Sequence, residues 1–180
     1  MYAGRVPDRR YRRTMAFLES CIGREERIMD LGVPNPFSRM MRDKGFAVRN
    51  TQGEDLDLDH ARLDLSDITC ITSFEVFEHL LAPFNLLRHV QPPPGGCIKL
   101  VCSVPLKVWF AKAWWSKTDP WDRHYHEFEP RQFDWLLEKS GWTILRREPW
   151  ASPPRLALGI RPFLRFLYPS YYFVYAEKRA

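Results

Sequence analysis

The sequence has four cysteines, and none of them forms a CxxC pair. Cys21, Cys70, Cys97 and Cys102 therefore read as reduced thiols, at least two of them in buried strands, and the expected compartment is intracellular, the cytoplasm. No uncharged apolar run approaches the ~18 residues needed to cross a bilayer. The opening "MYAGRVPDRRYRR" has basic residues with no apolar stretch behind them, so it does not read as a secretory signal. There are no internal repeats, which excludes solenoids and propellers.

What is present fits one domain. The 180 residues can bury a sizeable core, and 45% hydrophobic with 27% charged is an ordinary globular balance. The net charge is +5. Much of the excess lies at the front, in Arg5, Arg9, Arg10, Arg12 and Arg13. Such an arm suits nucleic acid, anionic lipid or an acidic substrate, or is simply a solvated helix face. No nucleic-acid motif accompanies it, so nucleic acid is not an expected partner.

Hydrophobic patterning alternates strands with helices. "RRYRRTMAFLESCIGREE" predicts a leading helix ended by Gly23, and "RIMDLG" a strand stopped by Gly32. In "VPNPFSRMMRDKG", Asn35 suits an N-cap, Pro36 the first helical position and Gly45 the position after the last turn. "FAVRN" and "ITCITSF" predict strands, the second apolar on both faces as in a parallel sheet. "APFNLLRHV" and "EPRQFDWLLEKSG" predict helices; "CIKLVCSVP", "WTILRRE" and "YYFVYAEK" predict strands. The acidic "TQGEDLDLDHARLDLSD" predicts loop with at most a scrap of regular structure. The alternation implies an α/β layered domain with a largely parallel sheet. Two long connections interrupt it, one rich in tryptophan and one rich in proline and apolar residues, and long connections tend to be functional.

"IMDLG", "SFEVFEHL", "PPPGGCIKLVCSVP" and "HEFEPRQFDWLLEKSGWTI" occur in that order. Together they resemble class I S-adenosylmethionine-dependent methyltransferases, and more narrowly the small-molecule and O-methyltransferase branch that includes ubiquinone-biosynthesis enzymes. The resemblance runs from about Arg27 to Lys178. It implies a Rossmann-like, mostly parallel seven-stranded sheet with helices on both faces and an antiparallel last strand, which makes "WTILRRE" and "YYFVYAEK" neighbours. The expected organisation is a basic N-terminal helix, 1–26, and one methyltransferase-like domain, 27–180. That domain carries a tryptophan-rich insert, 105–126, and a proline-rich connection, 149–170.

The resemblance implies S-adenosylmethionine as cofactor, held by Asp30, Gly32, Asn35, Phe37, Phe74 and Glu75. The first N–H groups of the helix after "DLG" suit its methionine carboxylate. Pro36 removes one donor, leaving those of Phe37 and Ser38. A carboxylate ~20 positions on would accept from ribose hydroxyls. Glu54 and Asp55 lie in that window, Asp57 and Asp59 follow, and Asp64 is the candidate near the adenine. The loop Gly32-Val33-Pro34-Asn35-Pro36 has fewer glycines than the family's. Pro34 and Pro36 therefore also favour a second expectation, an inactive methyltransferase-like binding or scaffold protein.

Glu75, Glu78 and His79 fall at i, i+3 and i+4 if a helix starts just after Phe74, which puts all three on one face. Related motifs in ubiquinone O-methyltransferases and small-RNA 2′-O-methyltransferases hold a divalent metal with a later histidine. The resemblance thus implies Mg²⁺ or Mn²⁺ on Glu75, Glu78, His79 and His124. The other reading of these residues is a helix cap and cofactor contacts. His124 matches the family's H-x-x-E-F spacing with Glu127 and Phe128. With His126 and His79 it is the candidate to take a proton from a hydroxyl.

Trp109, Phe110, Trp114, Trp115 and Trp121 suggest either an apolar lid or plain core, and Lys107, Lys112 and Lys117 suit an acidic group on the acceptor. In "RPFLRFLYP", Arg161 and Arg165 share a face opposite Phe163, Leu164 and Leu167, a pattern that suits a membrane surface or the sheet edge. The expected function is O-methylation of a small metabolite: a sugar, a quinone or a lipid precursor. RNA 2′-O-methylation is the remaining alternative.

Overall fold

A computed structural model describes residues 8–151, 164 and 167–180 of the chain. The helix reading of "RPFLRFLYP" at Arg161, Phe163 and Arg165, and the arm residue Arg5, lie outside the described residues.

Six strands form one sheet: β1 Arg27–Asp30, β2 Ala47–Asn50, β3 Cys70–Phe74, β4 Cys97–Pro105, β5 Thr143–Trp150 and β6 Tyr171–Arg179. Their order is β2-β1-β3-β4-β6-β5. β2, β1, β3 and β4 pair in parallel, and β6 pairs antiparallel with both β4 and β5. The fold is the expected Rossmann-like α/β class, with the last strand reversed and beside "WTILRRE". The described residues hold six strands, where the resemblance implied seven. The acidic stretch 51–69 supplies none of them. There Asp55 and Asp64 side chains accept from backbone N–H groups two or three residues on and fold the chain into turns.

Among the described residues, the α-helices α1 Asp8–Cys21, α2 Pro36–Asp43, α3 Pro83–His89 and α4 Pro130–Lys139 flank the sheet. One face is covered by α1 and α2, with Phe17, Leu18, Phe37 and Met41 buried against Ile28, Cys70, Val101 and Phe173 of the strands. The other is covered by α3 and α4, with Leu86, Leu87, Phe133 and Leu137 against Met29, Ile71, Leu100 and Val174. Each fully buried Phe contributes on the order of 2–3 kcal/mol. The chain moves from β1 outward to β2 and then back across to β3. That reversal opens a crevice at the carboxyl ends of β1 and β3. No helix among the described residues is long and apolar enough to cross a membrane.

Helix α1 packs as part of the core, so it is no detached basic arm. Met15, Phe17, Leu18 and Ile22 are buried, Arg13 pairs with Glu148 of β5, and Arg10 turns inward over Tyr171.

Candidate functional site

The loop after β1 forms one wall of the crevice. Leu31 N–H donates to Thr72 O at 2.8 Å, and Gly32 N–H donates to Thr51 Oγ1 at 2.8 Å. Gly32 has φ 137°, a backbone state that favours glycine, and a Cβ built there meets nothing within 4 Å. The space in front of this turn is open. Pro34 is exposed and does not line it.

Beyond the turn, Asn35 and Pro36 start α2 as expected, but the donors expected for the cofactor carboxylate are already engaged. Asn35 Oδ1 accepts from Phe37 N–H at 2.9 Å and Ser38 N–H at 3.0 Å. Ser38 Oγ in turn accepts from Asn35 N–H at 3.0 Å. An Asn side chain at the N-cap satisfies these groups better than an open helix end would.

A cavity of about 290 Å³ lies against this loop. Asp30, Gly32, Asn35, Phe37, Phe74 and Glu75 all border it, and Arg10, Tyr11 and Thr14 of α1 roof it. Asp30 is buried and accepts from Thr72 Oγ1 at 2.7 Å and Asn50 Nδ2 at 2.9 Å. Burial outweighs both bonds and raises its pKa to about 6.

The other acidic candidates stand apart from this wall. Glu54 accepts from Gln52 N–H at 2.5 Å, and Asp55 from Asp57 and Leu58 N–H. Asp57 accepts from the N–H groups of Leu81 and Ala82, both at 2.8 Å, ahead of α3. Asp59 pairs with Arg62, and Asp64 accepts from Ser66. None of the five borders the cavity. At the end of β2 stands Asn50, whose amide already bonds Asp30, Gly32 O and Arg42.

The segment after β3 departs from the expected helix. Glu75 has φ 58°, a left-handed state that a non-glycine residue adopts at a cost of about 1–2 kcal/mol. Its N–H donates to Ser103 O at 3.0 Å, carrying the β3–β4 ladder one residue further. Only a single 3₁₀ turn, Phe77–His79, follows. The α-helix waits for Pro83, because a proline disfavours helical conformation in the residue before it and suits the first helical position. Glu75, Glu78 and His79 therefore do not share a helical face.

They still gather, on the wall of a second cavity of about 400 Å³. Arg10, Glu75 and Tyr171 border both cavities. Glu75 Oε1 accepts from Ser103 Oγ at 2.7 Å. Burial lifts its carboxyl to about 7 against the pull of the Arg10 charge. Glu78 is fully buried, and neither carboxyl oxygen has a hydrogen-bond partner. Burial and the neighbouring Glu75 push it well above the usual carboxylate range.

His79 Nδ1 lies 3.0 Å from Arg123 O, so that nitrogen carries the proton. Its Nε2 lies 3.7 Å from Glu78 Oε1. The His124 ring meets His79 edge-on at 4.8 Å. Burial, and then His79, lower the His124 pKa to about 4. Ligand-type atoms of Glu78, His79 and His124 all lie within 4.8 Å of one another. Glu75, expected as a fourth ligand, is not in that group. His126 borders the same cavity but stacks on Phe128 at 5.4 Å, with Nε2 3.4 Å from Leu81 O.

The tryptophan-rich insert is fastened over this cavity. Tyr125 and His126 N–H donate to Glu78 O at 2.8 and 3.2 Å, and Lys107 N–H donates to Phe128 O at 2.9 Å. Lys107, Lys112 and Trp114 line the cavity. Trp109, Trp115 and Trp121 face solvent, so the aromatics do not close as a lid. Arg10 went unseen as a site residue in the sequence. Within a run of five arginines nothing marks the one that turns inward, and only the packing of α1 does so.

The matching family model is described as "Methyltransferase domain" and spans residues 3–147. No curated protein sequence matches the chain. Among solved structures, a methyltransferase from Archaeoglobus fulgidus aligns with TM-score 0.63 and 14% identity, over 95% of this chain and 94% of that one. One from Mesorhizobium loti aligns with TM-score 0.62 and 15% identity, over 91% and 96%. Both are described as S-adenosylmethionine-dependent. A Burkholderia thailandensis 1,6-didemethyltoxoflavin-N1-methyltransferase, solved with its substrate and S-adenosylhomocysteine, aligns with TM-score 0.60 and 15% identity, over 94% and 78%. These likenesses concern the fold. The family match covers most of the chain, and the chain belongs to the class I S-adenosylmethionine-dependent methyltransferases, a family of enzymes.

Proposed function

We propose that this enzyme methylates an oxygen of a small acceptor, a sugar, quinone or lipid precursor, held in the 400 Å³ cavity beside His124. The observation that carries this reading is the meeting of Glu78, His79 and His124 at that cavity's wall, next to a second cavity suited to the cofactor. When bound, S-adenosylmethionine supplies an electrophilic methyl group on a sulfonium.

The residues fit that group. Open space faces Gly32, and a half-buried cation and a half-buried carboxyl, Arg10 and Glu75, stand where the two cavities meet. Arg10 would take over the carboxylate contact that the Phe37 and Ser38 N–H groups cannot make. Glu75 would hold the cationic part of the cofactor, and Asp30 its ribose. Glu54 and Asp55 remain proposals for the ribose only through a shift of their loop.

His124 stays neutral throughout the physiological range and keeps a lone pair for the acceptor hydroxyl. A weak base suffices there, because the hydroxyl proton becomes strongly acidic once the oxygen has gained its methyl group. The two walls align acceptor and methyl group, and such positioning supplies much of the acceleration. Glu78, His79 and His124 also suit a divalent cation. The unpartnered Glu78 oxygens would gain a partner, and the Arg123 carbonyl already orients His79 Nε2 as a ligand. A cation there would acidify the acceptor hydroxyl. The four free cysteines suit a reducing compartment, the cytoplasm.

Calorimetric titration with S-adenosylhomocysteine, with and without Mn²⁺, tests both halves. Binding is expected, and a Mn²⁺ enhancement should vanish in Glu78→Gln. Assay against hydroxylated acceptors should then show transfer that His124→Gln removes. No heat and no thermal shift at millimolar ligand overturns the cofactor site. Transfer to amines alone overturns the oxygen assignment.

A further inference from the structure

Four indoles of the insert stand in solvent: Trp109 is 74% exposed, Trp121 70%, Trp114 56% and Trp115 54%. Water-exposed aromatic surface on this scale marks an interaction site. The Trp109 end of this surface adjoins the end of the proline-rich connection. The Trp109 ring meets Phe110 at 5.5 Å, Phe110 meets Tyr168 at 6.1 Å, and Leu167 and Tyr168 are themselves exposed.

Its charges are mostly of one sign. Lys107, Lys112, Lys117 and Arg123 face two acids, Asp119 and Asp122, within residues 106–126. Both acids are engaged inside the insert: Asp122 accepts from Trp114 Nε1 at 2.9 Å, and Asp119 from Trp121 N–H at 3.0 Å. Lys107 pairs with Glu129 at 3.7 Å and Arg123 donates to Ser116 O at 2.9 Å, whereas Lys112 and Lys117 are exposed and supply the positive charge that a partner would meet.

We propose that residues 106–126 dock the enzyme peripherally on an anionic lipid surface. Three observations select a membrane over a protein partner. Lysine is depleted from protein interfaces, yet three lysines are interleaved with these indoles. Indole with lysine is the pairing that suits the headgroup zone, the ring lying at the apolar boundary and the lysine stem reaching back to water. Trp109, Trp115 and Trp121 project outward and line neither cavity of the site, so no groove awaits a partner's side chains.

The inner side of the same insert, through Val108, Lys112 and Trp114, lines the acceptor cavity. Docking sets the mouth of that cavity against the headgroups. The inference holds whatever the acceptor and whether or not a cation binds.

Flotation with phosphatidylcholine vesicles, with and without phosphatidylglycerol, tests it on the full chain. Flotation with the anionic vesicles alone is expected, together with quenching of tryptophan fluorescence by brominated lipid. The double variant Trp109→Ala/Trp121→Ala should bind about tenfold or more weakly. Lys117→Glu should weaken binding in low salt and not in high salt. Both variants alter exposed side chains, and their thermal midpoints should match the parent's. Bromolipid quenching of the parent needs no variant at all. Absence of flotation at millimolar lipid overturns the proposal, as does a double variant that floats like the parent. Self-association that the double variant abolishes, without flotation, assigns the patch to a second copy of the chain and also overturns it.

Discussion

The loops after β1 and β3 leave neighbouring strands at the same end of the sheet and treat their polar groups in opposite ways. After β1, Thr51 takes the Gly32 N–H, Asn35 takes two helix-end donors, and Asn50 bridges Asp30 and Gly32. After β3, Glu75 sits in a left-handed conformation and Glu78 buries two oxygens without a partner. A buried polar group without a partner costs free energy, and a fold keeps it where a ligand or a reaction uses it. The β1 loop is built for rigidity and the β3 segment for chemistry.

The largest expected effect falls on the β3 side. Glu78→Gln should lower turnover by about 100-fold or more, measured as single-turnover methyl transfer. Glu78→Leu should be equally inactive yet more stable, by about 1–3 kcal/mol in urea unfolding, because two unpartnered oxygens disappear. Lower stability in Glu78→Leu would erase the contrast between the loops.

Next comes the pH response of Asp30. Its native pKa of about 6 lies above the ordinary 3.8. The native state therefore holds its proton more tightly than the unfolded state. The associated stability is full below about pH 4 and is lost as pH rises through about 6, amounting to about 3 kcal/mol at about 1.4 kcal/mol for each pH unit. Asp30→Asn should flatten that part of the stability profile, read by urea midpoints across the range.

Arg10→Met should weaken S-adenosylhomocysteine by about tenfold or more in calorimetry, the scale of one charge-assisted hydrogen bond. Asn35→Ala has the smallest effect. It should cost about 1 kcal/mol of stability as a lost cap. It also frees the Phe37 and Ser38 N–H groups, so cofactor affinity should hold or improve. A drop in affinity would make Asn35 a contact residue and sharpen the comparison differently.

The scaffold was legible in the sequence where local chemistry decides. "ITCITSF" is rich in β-branched residues with no charge and became a strand buried on both faces; Asn35, Pro36 and Gly45 bracket α2; Pro130 and Gly141 bracket α4. The site was less legible because its features are tertiary. A helix after Phe74 looked natural from the spacing of Glu75, Glu78 and His79, but the Ser103 carbonyl captures the Glu75 N–H and Pro83 resets the helix start. Helical spacing had grouped Glu75, Glu78 and His79 for a reason that does not apply, and the resemblance had added His124. Glu78, His79 and His124 meet because the insert returns His124 to the 3₁₀ turn. Arg10 and Asn50 were missed because one hides among arginines and the other is no acid.

The insert's two ends touch. Leu106 bridges Phe128 in parallel, and Leu106 N–H donates to Ser170 O at 2.9 Å, where the second long connection rejoins the sheet. Twenty-odd residues thus hang from one closed neck on a framework that does not depend on their content. Such a cassette can be exchanged or lengthened while Gly32, Arg10 and the strands keep their places. Acceptor choice and surface attachment are thereby separable from cofactor binding, and can diverge while it stays constant.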